Sequence, residues 1–257
     1  MNDLDIAADP FSLSGQSILV TGASSGIGRQ IAVACAAAGA RVFLTGRNQA
    51  RLEETAQLLV GEGHICLSAD LSKPAEIEHL IAQLPVLNGL AHAAGVSNLV
   101  PFRMVSQNHL ENIFQSNTYA PILLTKGLLA KKKIASKGSV LWIASVASHI
   151  GPMASAGYAA SKSALLGAMR TLGREVTKQA IRVNCLAPGF VRTPLLDGLQ
   201  NGGGNMTDLF DLTPLGMGEP EDIAASAVFF LSDASRWITR NYFVIDGGLT
   251  IPMDIYA

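Results

Sequence analysis

A turn carrying Gly22, Gly26 and Gly28 joins a short apolar run, Ser17–Thr21, directly to an alanine-rich segment at 27–38. Glycine is needed where the backbone must turn with positive φ or let another chain approach closely. An extended run passing through such a turn into a helix is the opening of a β-α-β unit. The start of that helix offers free N–H groups and the positive end of the helix dipole, which together suit a phosphate. Gly22, Ser24, Ser25, Gly26, Ile27 and Gly28 are therefore the expected phosphate cradle.

The alternation continues along the chain. Apolar runs at 41–45, 64–69, 89–93, 139–144, 181–187 and 242–245 are expected strands. Helical patterns fall at about 49–60, 75–83, 107–132, 158–178 and 221–231. Strands separated by helices pair in parallel through right-handed crossovers, and nearly all-apolar strands need helices on both faces. The expectation is an α/β protein, a Rossmann-type doubly wound parallel sheet of about seven strands. Ligands bind such sheets at the carboxyl ends of the strands. No linker or composition shift divides residues 1–257, so one domain is expected, with 1–13 as an N-terminal extension. The stretch 192–218 contains Gly202, Gly203 and Gly204 and little periodicity. A connection that long suits a substrate lid.

Composition narrows the partners. Nineteen Lys and Arg stand against twenty Asp and Glu, a net charge of −1, which gives no electrostatic reason to expect nucleic acid or a membrane surface. The basic run Lys131, Lys132 and Lys133 suits a helix end. Cys35, Cys66 and Cys185 have neither paired nor metal-like spacing, so reduced core thiols, no metal and a cytoplasmic location are expected. The first fourteen residues hold three acids and no base, unlike a secretory signal.

Tyr158 and Lys162 lie four residues apart on an expected helix and so share a face. A phenol of ordinary pKa, about 10, is a poor base at neutral pH. A cation within about 4–6 Å lowers that pKa, which would bring Tyr158 toward the range useful for proton transfer. Ser145 ends the fifth strand, thirteen residues before Tyr158, placed to hydrogen-bond a substrate oxygen as charge develops there. Asn117 sits inside an expected helix, where asparagine is a poor choice.

With Thr21–Gly28, Ala93-Ala94-Gly95, Ser145, Tyr158-x-x-x-Lys162 and Pro188-Gly189 in place, the chain from about 14 to 248 resembles the short-chain dehydrogenase/reductase family, in particular its 3-oxoacyl-(acyl-carrier-protein) reductase-like members. The resemblance implies a nicotinamide cofactor and hydride transfer between an alcohol and a carbonyl. It gives Asp70, with Leu71 beside it, to the adenine, and Ala94 and Gly95 to the backbone passing the cofactor. It gives Lys162 to the nicotinamide ribose as well as to Tyr158, and Pro188, Gly189, Val191 and Thr193 to the nicotinamide carboxamide. Asn117 would hold a water in a proton relay, completing a tetrad with Ser145, Tyr158 and Lys162. The family's usual Asn-Asn-Ala-Gly is His92-Ala93-Ala94-Gly95 here, so His92 is expected as a buried, hydrogen-bonded substitute for a bracing asparagine.

Cofactor choice turns on the end of the second strand. NAD-specific sites place a carboxylate there, which would repel a 2′-phosphate. This chain has Gly46 followed by Arg47, whose planar fork suits a phosphate. NADP(H) is expected over NAD(H), tempered by uncharged Ser25 in the turn. His149, Met153, Leu195, Leu196, Leu199, Met206 and Phe210 are the expected pocket lining, with Arg192 the charged exception. A bulky ketone or 3-oxoacyl thioester, presented on an acyl carrier protein, is the first substrate class. A polyol, sugar or cyclic alcohol is the alternative, and a non-catalytic dinucleotide-sensing protein the reading from another class. Apolar residues on more than one face of the segments at 107–132 and 158–178 point to a homotetramer or homodimer.

Overall fold

The computed structural model describes residues 9–196 and 213–250. Seven strands form one parallel sheet: β1 (Ser17–Thr21), β2 (Arg41–Gly46), β3 (Ile65–Ser68), β4 (Leu87–His92), β5 (Ile134–Ile143), β6 (Arg182–Pro188) and β7 (Tyr242–Ile245). Their order is β3-β2-β1-β4-β5-β6-β7. The order reverses between β1 and β4, so loops leaving those two strands diverge and open a crevice at their carboxyl ends.

Helices cover both faces, as the apolar strands require. One face buries α1 (Gly26–Ala37) through Ile31, Ala32 and Cys35, and α8 (Pro220–Leu231) through Ile223, Ala227 and Phe230. The other buries α3 (Pro74–Gln83), α5 (Ala120–Ala130) and α7 (Ala156–Glu175), the last through Leu165 and Met169. The smaller helices α2 (Gln49–Ala56), α4 (Gln107–Phe114) and α6 (Ala147–Ile150) lie around these. Residues 9–13 pack against the domain: Leu13 is fully buried and its N–H bonds to Ala38 O, while Phe11 lies 6.1 Å from Phe229.

Two elements differ from the sequence expectation in ways that matter. β5 starts at Ile134 rather than 139, because Ile134 pairs with Leu87 ahead of an irregularity in which Lys137 takes a φ of 64°. The single helix expected at 107–132 is interrupted by a π-helical turn at Gln115–Tyr119. Lys133, from the basic run, turns its ammonium onto the end of α3, donating to Ile81 O at 2.7 Å and Ala82 O at 3.1 Å. Cys35 and Cys185 are buried thiols whose pKa values burial pushes up to about 12. Among the described residues no helix is long and apolar enough to cross a membrane, and no metal-ligating cluster occurs. The presumed lid lies largely outside the described residues.

Candidate active site

The glycine turn has the shape its sequence calls for. Gly22 has a φ of 66°, and a Cβ there would stand 2.7 Å from Ala94 N. A Cβ on Gly28 would come within 2.3 Å of Gly22 O. Both positions therefore exclude any side chain, the first so that the β4 loop can pass and the second so that helix can pack on turn. Ser25 precedes α1 in extended conformation without a side-chain cap, which leaves the first-turn N–H groups facing the crevice. The turn is also braced from behind. Arg29 donates to Ser24 O at 2.9 Å and to Thr55 Oγ1 at 3.0 Å, while Thr55 donates to Ala23 O at 2.9 Å. Neither brace was anticipated from the sequence, since nothing in it says which helix α2 residue meets the turn.

A cavity of about 260 Å³ runs from this turn past Gly46, Arg47, Asp70 and Leu71 to Ala94, Gly95 and Thr193. Thr193 reaches the turn itself: its Cγ2 would lie 3.2 Å from a Cβ on Gly26. Arg47 is exposed at the β2 end of the cavity. Asp70 Oδ1 accepts from Ser72 N at 3.0 Å and Ser72 Oγ at 2.7 Å. These bonds hold its carboxyl below the usual range, with Lys73 and Arg47 adding to the effect. Gly189 packs where a Cβ would meet Asp246 Cα at 2.8 Å, and Val191 forms a parallel bridge with Gly218. Arg192 is an exposed partner of Glu219 at 2.8 Å. It is a surface ion pair rather than part of the pocket lining.

The four tetrad candidates come from different elements. Asn117 lies in the π turn, buried. Its Oδ1 accepts from Val96 N at 2.8 Å, and its Nδ2 donates to Val96 O at 2.9 Å and Ser161 Oγ at 3.0 Å. The side chain is thus spent clamping the loop after Gly95 to α7, which explains an asparagine inside a helix. Tyr158 and Lys162 share one face of α7, with Nζ 5.8 Å from the phenol ring centroid. Lys162 Nζ donates to Ile143 O at 2.8 Å and would lie 3.4 Å from a Cβ on Gly95, so the lysine sits directly under the cavity floor. Ser145 Oγ accepts from Ala147 N at 3.1 Å, which turns its own proton toward Tyr158.

The electrostatics depart from the simple expectation that Lys162 pulls the phenol's pKa down. Burial pushes the Tyr158 pKa up, the hydrogen bond with Ser145 opposes this, and Tyr242 nearby adds to the rise. Burial also lowers Lys162, from 10.5 to about 8. Burial thus disfavours the charged form of each group, as expected when ionised side chains lose water. His92 is buried as expected. Its Nε2 lies 2.9 Å from Thr125 Oγ1, whose proton is already given to Pro121 O at 2.8 Å. Nε2 must therefore carry the proton, which fixes a neutral tautomer.

The pocket residues expected from the sequence divide. Met153 and Leu195 are exposed at 93% and 40%, Leu196 is buried, and His149 stacks on Tyr242 with centroids 4.5 Å apart. Leu199, Met206 and Phe210 lie outside the described residues. Leu196 is therefore corrected to a packing residue of the segment after Thr193.

A parallel sheet with a glycine-turn crevice and Tyr-x-x-x-Lys beneath it defines a nucleotide-dependent oxidoreductase scaffold. Residues 22–250 match the family described as enoyl-(acyl carrier protein) reductase, and the chain belongs to the short-chain dehydrogenase/reductase family. It is accordingly an oxidoreductase acting on CH–OH groups, of a family that binds a nicotinamide cofactor. A 3-oxoacyl-(acyl-carrier-protein) reductase of Rickettsia felis is 30% identical, covering 92% of this chain and 98% of that one. A 2-dehydro-3-deoxy-D-gluconate 5-dehydrogenase of Bacillus subtilis is 32% identical over 93% and 96%. A candidate 2-deoxy-D-gluconate 3-dehydrogenase of Agrobacterium tumefaciens, solved with bound NADP, superposes with a TM-score of 0.84 at 30% identity, covering 94% and 98%.

Proposed function

We propose that this chain is an NADPH-preferring reductase of ketones to secondary alcohols, with 3-oxoacyl thioesters as the favoured substrate class. The observation that carries the chemistry is Lys162 set against Gly95 at the cavity floor, with Tyr158 on the same face of α7 and hydrogen-bonded to Ser145. The cavity fits a dinucleotide because its turn admits no Cβ at Gly22 or Gly28 and presents free N–H groups to a pyrophosphate. Gly22, Ser24, Ser25, Gly26, Ile27 and Gly28 would hold that group, Asp70 and Leu71 the adenine, and Val191 and Thr193 the carboxamide. When bound, the nicotinamide supplies the hydride.

The protein's part is proton handling and charge placement. Tyr158 donates its phenolic proton to the carbonyl oxygen, and its raised pKa keeps that proton in place until charge builds on the substrate. The Ser145 hydroxyl donates to the same developing oxyanion. The phenolate left behind takes a proton from the Lys162 ammonium, whose pKa of about 8 lies below that of the phenol, and Lys162 regains its proton from solvent. Asn117 ties the loop at Val96 to α7, so that Lys162 stays under Gly95. Exposed apolar side chains, Leu195 at the cavity and Met153 in the loop before α7, favour an apolar acyl chain over a sugar. The sugar-acid relatives keep a polyol or sugar dehydrogenase as the second reading. A homotetramer or homodimer is the assembly we propose.

Cofactor choice rests on Gly46 and Arg47 at the β2 end of the cavity. A charge-assisted hydrogen bond contributes about 1.5–3 kcal/mol, roughly ten- to a hundredfold in preference. The ratio of kcat/KM with NADPH and NADH is expected to favour NADPH by that order and to collapse in Arg47→Ala. A wild type favouring NADH, or an unchanged ratio in the variant, overturns the assignment.

A further inference from the structure

Tyr242 opens β7, the last strand, yet its phenol reaches back over β6 to the turn after β5. Its hydroxyl donates to Ser145 O at 2.9 Å. Two donors from the turn itself converge on the same carbonyl, Ser148 N–H at 3.1 Å and Ser148 Oγ at 2.7 Å. Ser148 Oγ also lies 2.8 Å from the Tyr242 hydroxyl and 3.0 Å from His149 Nδ1. The His149 ring stacks on the Tyr242 ring at an interplanar angle of 19°. Three side chains, Tyr242, Ser148 and His149, thus form one linked unit whose centre is the backbone of Ser145.

From these contacts we infer that Tyr242 is a positioning residue for the reaction, aiming the Ser145 hydroxyl at the reacting oxygen by fixing the Ser145 carbonyl. The inference rests on the reading of Ser145 and Tyr158 as the catalytic pair. The Ser148 donors belong to the turn and would move with it if it pivoted. Tyr242 is the side chain that ties the carbonyl to another strand, alongside the backbone bond from Val146 N to Pro188 O at 3.0 Å. The aim of the Ser145 proton depends on the turn because Oγ is held by Ala147 N–H. A carbonyl free to tilt carries the Ala147 N–H and the hydroxyl with it. Misplacement of a catalytic group by a fraction of an ångström is costly because alignment supplies much of the rate.

The two roles available to Tyr242, filling space and fixing Ser145, separate in Tyr242→Phe. The ring, its packing on the core and its stack with His149 remain; only the hydroxyl goes, and Ser148 still satisfies the carbonyl. With acetoacetyl-CoA as probe substrate, the variant is expected to lose about three- to tenfold in kcat, the worth of one neutral hydrogen bond. Its NADPH affinity, read by fluorescence titration, and its thermal midpoint should match wild type. In a Ser145→Ala background the same change should have no further effect on turnover, because its route of action is gone. Unchanged kcat in Tyr242→Phe, a loss carried by cofactor affinity, or full additivity with Ser145→Ala would each overturn the inference. Tyr158→Phe assayed alongside separates the two levels. If it retains turnover, the catalytic reading itself fails; if it is inactive while Tyr242→Phe behaves as wild type, only the positioning role falls.

Discussion

Acid should destabilise this protein in a measurable part through one buried histidine, and the amount follows from where that residue sits. His92 lies at the end of β4, packed edge-on to Trp142 with centroids 6.3 Å apart and donating to Thr125. Burial drives its pKa from 6.5 down to about 3. Between those values the unfolded chain binds a proton that the folded chain refuses, so stability rises with pH across that window and is lost as pH falls through it. Each unit is worth 1.36 kcal/mol. At about pH 4.5, two units below the unfolded value, the loss is about 2.7 kcal/mol, a large share of the roughly 5–15 kcal/mol that holds a domain folded. The perturbation is His92→Asn, which removes the titration while keeping a polar group. Urea unfolding of both proteins at fixed chain concentration, from about pH 7 to 4.5, gives the difference curve. Carboxylates such as Asp70 and Asp246, held low by their hydrogen bonds, contribute equally to both proteins and cancel. The asparagine variant should gain on wild type by about 2–3 kcal/mol over that range. Parallel curves would refute the reasoning, because they would mean that His92 is not forced to stay neutral in the fold.

Two further outcomes are expected from the site. Tyr158→Phe should keep NADPH binding and lose about 10²–10⁴-fold in turnover, the usual worth of a general acid; single-turnover kinetics within about tenfold of wild type would contradict that role. Gly28→Ala puts a methyl 2.3 Å from Gly22 O, where backbone must shift. It should cost about 1–3 kcal/mol by overpacking and abolish cofactor binding, read by calorimetric titration.

Much of this was legible in the sequence because it depends on local rules. β1 and β7 begin and end where their apolar runs do, and the glycine turn announced a close approach that Gly22 and Ala94 then make. What the sequence hid is tertiary. The π turn at Gln115–Tyr119 follows from Asn117 reaching Val96, a contact that helical periodicity does not encode. The early start of β5 depends on a partner, Leu87, outside its own segment. The rise in the Tyr158 pKa comes from dehydration by neighbouring elements, whereas a four-residue spacing reveals only the lysine. Tyr242 was visible merely as a strand residue, because nothing local connects it with Ser145, ninety-seven positions earlier.

That separation bears on the order in which a growing chain acquires its abilities. The phosphate turn, the cavity wall at Arg47 and Asp70, and the Ala94–Gly95 floor are all encoded in the first hundred residues, and their strands β1 to β4 can pair once these have been synthesised. The turn after Ser145 must wait for β7, which is translated after the other six strands and joins the sheet at its edge. The chain emerges from its N-terminal side during synthesis, and pairings distant in sequence form slowly. A ribosome-bound chain halted before Tyr242 would already carry most of the proposed nucleotide cradle while lacking the tie to the proposed catalytic serine. In this fold, holding the cofactor is an early accomplishment of synthesis and efficient chemistry a late one.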